Sequence, residues 1–196
     1  MPNTSTPTED PERHERQREY MTTLDPSQIG QVSYDGKHAT LTFQRRLPHP
    51  PEAVWAAITD PKQLAMWYVQ EVTIDGRLGG SVHFVSGGGK LLATGRILAW
   101  DPPRLLEYEW KVKPRPEMPS GEDSVVRWEL GREGDATVLT LTHRNLTRGK
   151  AIGAAPFAHV VLERLASHLD GQPFEDFVQR VAEMRPQYAP RRASLG

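Results

Sequence analysis

The chain has 196 residues, 37 % of them hydrophobic and 25 % charged, with a formal net charge of -1 and no cysteine. That length suits one domain with tails, and the near-neutral balance gives no global pull toward nucleic acid or anionic lipid. Without cysteine there is no disulfide, thiol nucleophile or thiolate-bound metal, which fits a reducing, cytoplasmic setting.

Residues 1–20 are polar, proline-rich and carry both signs of charge, which predicts a disordered tail; they lack the basic and apolar regions of a leader, and no apolar run reaches the length of a membrane span. Residues 21–37 read as a lead-in segment, with Met21 as an alternative start of translation. From His38, "HATLTFQRRL" places Leu41, Phe43 and Leu47 on one face and Thr40, Thr42, Gln44 and Arg46 on the other, the alternation of a half-buried strand.

"PPEAVWAAI" follows with proline where a helix needs no N–H, and Ala53, Val54, Ala57 and Ile58 recur at helical spacing. Asp60 before Pro61 repeats the start signal for a second short helix, "KQLAMWY". Five strand-like runs come next, "SVHFV", "LLATGRILAW", "RLLEYEWKV", "SVVRWELG" and "TVLTLTHRNL", each preceded by turn residues. Their order predicts an antiparallel meander. Leu106, Tyr108, Trp110 and Val112 share one face of the third run, and Val126, Trp128 and Leu130 one face of the fourth.

"APFAHVVLERLASHLDG" then sets Ala158, Val161, Leu162, Leu165 and Leu169 on one stripe, with His159, Glu163, Arg164 and Ser167 pointing away and Gly171 closing the helix. A short amphipathic helix within 172–184 and a flexible basic tail, 185–196, complete the chain. The pattern predicts an α+β domain over 38–171: a curved antiparallel six-stranded sheet wrapped around a long C-terminal helix, with two short helices after the first strand. Such a sheet need not close its interior, and the space left is a pocket.

The ordered series "PPEAVWAAITDPKQLAMWY", "GRLGGSVHF", "GRILAWDPPRLLEYEW" and "TVLTLTHRNL" resembles the START-like (SRPBCC) superfamily, in particular homologues of the C-terminal domain of the heat-shock-protein-90 ATPase activator. The resemblance covers about 39–171. It implies the helix-grip (START/Bet v 1-like) fold with an apolar cavity between sheet and long helix. Lipid carriers, hormone receptors, polyketide cyclase-like enzymes and chaperone regulators all use that fold, so it does not select an activity.

The individual candidates divide into chemistry and packing. "SGGGK", 86–90, continues into a strand rather than opening a helix, so it reads as a hairpin tip and not a phosphate loop. The seven histidines show no metal-ligand spacing, and neither a metal nor another cofactor is expected. Arg96, Glu107, Glu109, Arg127 and Glu129 alternate with apolar residues, as cross-strand pairs on a wet face do. Trp55 reads as a packing residue. His143, in line with Leu139 and Leu141, either orients a ligand from the apolar face or bonds a neighbouring carbonyl at the strand's end.

The expected ligand contacts are Trp67, Tyr68, Phe84, Tyr108, Trp110, Trp128, His143, Phe157, Val161 and Leu165. The expected partner is a small hydrophobic molecule, with no nucleic acid and no stable membrane insertion. Binding is preferred to catalysis; the alternatives are a cyclase/hydrolase-like enzyme using His143 or Tyr108 as proton donor, and a chaperone ATPase-activating or other protein-binding module, partnered by a chaperone or by a second copy of the chain.

Overall fold

The structure is a computed structural model that describes residues 26–86, 90–116, 118–174 and 176–189. The expected tail at 1–20 and the glycines of the 86–90 turn lie outside the described residues. Strand β1 spans Gln31–Asp35 and β2 His38–Leu47; helices α1, Pro51–Thr59, and α2, Pro61–Trp67, follow. Strands β3 (Glu71–Ile74), β4 (Ser81–Ser86), β5 (Lys90–Asp101), β6 (Leu105–Val112), β7 (Glu122–Glu133) and β8 (Ala136–Thr147) lead into α3 (Arg148–Leu169) and α4 (Phe177–Tyr188).

All eight strands form one antiparallel sheet in the order β1-β2-β8-β7-β6-β5-β4-β3. The sheet is curved and open, and α3 packs against its apolar side, an α+β arrangement consistent with a helix grip. The six strands expected are present, and two are added at the edges. β1 falls in the 21–37 lead-in and pairs with β2 through the Asp35–Gly36 turn, where Gly36 takes φ +54°. β3 has only four residues, paired with β4.

Local chemistry explains the first helices. Pro51 stands at the first position of α1, and Val54, Ala57 and Ile58 are buried. Asp60 caps α2 by accepting the Lys62 N–H at 2.8 Å. Gly95 is required where β5 crosses closest to β6, since a Cβ there would collide with the Glu109 carbonyl oxygen.

The core lies between the sheet's inner face and α3. Leu41, Phe43, Val82, Ile97, Leu106 and Leu139 come from the strands, and Val160, Leu162 and Leu165 from the helix, all with at most 2 % exposure. Each buried aliphatic or aromatic side chain of this size contributes about 1.5–3 kcal/mol of transfer free energy. The outer face carries the expected ion pairs. Glu107 accepts from Arg127 at 3.1 Å and Arg144 at 2.9 Å, and Arg127 also donates to Glu129 at 2.9 Å. Arg96 hydrogen-bonds Glu109 and, with help from Lys111 and against burial, holds that carboxyl down at about 2.

Three expectations for the C-terminal third are corrected. α3 begins at Arg148, not near Ala155, so its first two turns were missed; they contain Gly149 and Gly153, poor helix formers, and Pro156 follows inside the helix. His159 does not point to solvent: it is fully buried. α4 runs four residues beyond 184, into the segment expected to be tail, and buries Met184 and Tyr188 against α3 and β2.

The reason for both burials is one polar network. The Tyr188 hydroxyl accepts the Gly30 N–H at 3.0 Å and lies 2.8 Å from His159 Nδ1, while His159 Nε2 lies 3.2 Å from Glu163 Oε1. The Tyr188 proton therefore goes to Nδ1, and Nε2–H donates to Glu163. Arg180 of α4 grips the same carboxylate with two donors, at 2.7 and 2.8 Å. Gly30 fits because any Cβ would strike the Phe43 ring.

Candidate functional site

A cavity of about 450 Å³ opens between β6, β7 and β8 and the first half of α3. Its origin is a size mismatch. On α3, Gly149, Gly153, Ala154 and Ala158 face the space at helical spacing, whereas the next turns present Leu162 and Leu165 and close the core. Opposite the small residues stand Tyr108 and Trp110 from β6 and Trp128 from β7, with Tyr68 arriving from the end of α2. Small residues against large flat ones leave a volume within the ~300–1,000 Å³ of sites for small organic molecules.

Seven of the ten expected contacts line this cavity: Tyr68, Tyr108, Trp110, Trp128, His143, Phe157 and Val161. Three do not. Trp67 is 3 % exposed and donates its indole N–H to the Ala57 carbonyl at 2.9 Å, which turns it into the core instead of the rim. Phe84 sits behind the wall, its ring 5.6 Å from Tyr108 and 5.3 Å from Trp110. Leu165 is fully buried one turn beyond the cavity. Trp55, read as packing, stacks edge-on with Trp100 at 5.0 Å.

His143 continues the apolar face of β8 as its alternation with Leu139 and Leu141 predicts. Its Nε2 lies 2.8 Å from the Ser124 hydroxyl, which also reaches the Trp110 carbonyl at 3.4 Å. Burial lowers the imidazole pKa to about 4, with the Glu122 carboxylate acting in the opposite sense. The ring is therefore neutral near pH 7. Burial raises the Tyr68 and Tyr108 phenols, so both stay protonated; the Trp128 indole N–H donates to the Tyr108 oxygen at 3.4 Å.

Two polar lining residues were missed. Glu122 opens β7 and Lys150 stands in the first turn of α3. They form an ion pair at 3.2 Å, with the Glu122 side chain 5 % exposed. Glu122 Oε1 also accepts the Thr147 N–H and hydroxyl, each at 3.2 Å, and Lys150 donates to the Gly121 carbonyl. The cavity thus has an aromatic wall and one polar end. Among the described residues no three His, Asp or Glu side chains converge as a metal site.

Residues 48–170 match the family described as activator of Hsp90 ATPase homolog 1-like protein. The chain belongs to this family. Membership places it in the START-like branch that its motif series resembles. CalU16 from Micromonospora echinospora has the same fold, at 26 % identity and a TM-score of 0.62 over 82 % of this chain and 92 % of that one. Mll3558 from Rhizobium loti is 26 % identical, with a TM-score of 0.58 over 70 % of this chain and 99 % of its own. DynU16, a protein of the dynemicin biosynthetic locus, is 24 % identical, with a TM-score of 0.58 over 68 % of this chain and 48 % of that one. No curated protein matches the chain. Among the described residues no helix is long and apolar enough to cross a membrane.

Proposed function

We propose that this member of the family binds a small, flat, mostly apolar molecule between the aromatic wall and α3. The observation that carries this reading is the cavity itself: about 450 Å³, walled by Tyr68, Tyr108, Trp110 and Trp128 and faced by glycine and alanine on the helix. A core built only for stability would fill such a space, since an unfilled volume forfeits both burial and dispersion contacts.

Binding is favoured over catalysis by the state of the polar groups. A general acid or base works best with a pKa near the operating pH; His143 is held at about 4 and the two phenols well above their ordinary range. These groups orient a ligand better than they move its protons.

N-phenyl-1-naphthylamine, a neutral dye whose emission rises on burial, tests the reading. At ~25 cal/mol per Å² of apolar surface, offset by the loss of translational and rotational freedom, its Kd is on the order of 10–100 µM. Gly153→Leu should abolish the saturable signal while leaving the fold intact or up to ~1 kcal/mol more stable, because glycine is a poor helix former and a Cβ at this position meets no atom within 4 Å. No saturable signal from the wild type, or an unchanged one from Gly153→Leu, would refute it.

A further inference from the structure

We infer that the cavity takes planar aromatic ligands bearing a carbonyl oxygen, ketones or quinones, and that the Tyr68 hydroxyl donates to this oxygen. The inference rests on the binding role proposed above and assigns its polar specificity. Tyr68 stands half-buried on the cavity wall at the end of α2, its ring held by Trp67 at 5.3 Å and Phe84 at 5.8 Å between centroids. Its hydroxyl makes no hydrogen bond to any described residue and is not sealed in the core, so the cavity is the space it opens on. Burial pushes the phenol well above its ordinary range, so the proton stays on the oxygen and is offered to whatever enters.

The balance of donors and acceptors on this wall sets the sign of the preference. Tyr108, near enough to raise the Tyr68 phenol further, already receives the Trp128 indole N–H on its oxygen at 3.4 Å, its only side-chain hydrogen bond among the described residues. It too has a proton without an acceptor, and an indole accepts nothing. The wall therefore holds donors in excess. A carbonyl oxygen brings two lone pairs and no proton, and so supplies what the wall lacks. Because neighbouring rings already fix Tyr68, little order is lost when the bond forms. A hydrocarbon of the same shape fills the same volume but leaves the Tyr68 proton unbonded.

The test compares 2-acetylnaphthalene with 2-isopropenylnaphthalene, which carries a methylene carbon in place of the carbonyl oxygen, by displacement of N-phenyl-1-naphthylamine from the wild type and from Tyr68→Phe. The ratio of ketone to alkene affinity should fall about fivefold in the variant, the worth of one neutral hydrogen bond, with alkene affinity held within about twofold. Urea unfolding should give Tyr68→Phe the midpoint of the wild type, since the hydroxyl removed has no partner in the protein. In the infrared, the carbonyl stretch of the ketone bound to the wild type should lie below its frequency in cyclohexane, because a donated proton weakens the C=O bond, and should rise in Tyr68→Phe. An affinity ratio that survives the substitution, a wild-type band at the cyclohexane position, or a lowered unfolding midpoint would overturn the assignment while leaving the binding role intact. Binding of neither naphthalene would overturn both. The wild-type band decides the matter even if the variant does not fold.

Discussion

Replacing Tyr188 with phenylalanine tests whether the last helix is part of the domain. The substitution keeps the ring against Phe43, 6.2 Å between centroids, and removes one oxygen. That oxygen serves both the Gly30 N–H at 3.0 Å and His159 Nδ1 at 2.8 Å, and the histidine is fully buried. Each lost hydrogen bond costs about 0.5–1.5 kcal/mol, and a buried group left unsatisfied costs about 1–3 kcal/mol. Since Gly30 is only partly buried and the Arg45 guanidinium stays 3.5 Å from His159 Nδ1, the sum is about 1–3 kcal/mol, or a fall in Tm of roughly 3–10 °C for a domain of this size. Urea unfolding followed by tryptophan fluorescence gives the number directly. Tyr34→Phe on exposed β1 serves as the control, expected within ~0.5 kcal/mol of wild type. A Tyr188→Phe loss below 0.5 kcal/mol would refute the network and return residues 185–188 to a dispensable tail.

Asp60→Ala removes the side-chain cap of α2 and should cost about 1 kcal/mol of unfolding free energy; a loss under 0.3 kcal/mol would leave the cap without energetic weight. For His143, burial depresses the folded-state pKa to about 4, so the unfolded chain, with an ordinary imidazole near 6.5, binds more protons between those values. Its contribution is complete above about pH 6.5 and is lost as pH falls toward 4, amounting to no more than about 3 kcal/mol. Imidazole resonances that titrate with a midpoint above 6 in the folded protein would contradict the buried, neutral ring.

The strongest local signals in the chain proved structural ones. Pro51 and the Asp60–Pro61 pair marked two helix starts because capping and fixed φ act over a few residues. Alternation in β6, β7 and β8 revealed the inner face for the same reason, and put Tyr108, Trp110, Trp128 and His143 where the cavity is. β1 escaped because it is only five residues long and mostly exposed, although Val32 and Tyr34 alternate with polar residues and Asp35–Gly36 is a hairpin signal that could have found it.

Other features depend on contacts distant in sequence. Trp67 and Tyr68 are neighbours with similar side chains; only the Ala57 carbonyl, met through the packing of α1 on α2, sends the first inward and leaves the second on the cavity wall. His159 looked exposed on a two-sided helix until α4 covered it. The segment from Arg185 reads as a basic tail, but the helix continues through Pro186 to bury Tyr188. Glu122 and Lys150 meet across 28 positions, and neither has a local pattern that announces the other.

The most direct measurement of the central claim is where a small aromatic molecule sits. With methyl-labelled protein and 2-methoxynaphthalene, intermolecular nuclear Overhauser effects should connect the ligand ring to Leu141, Ala158 and Val161, all on the cavity wall. Contacts confined to exposed Met66 or Val178, or none at millimolar ligand, would contradict it.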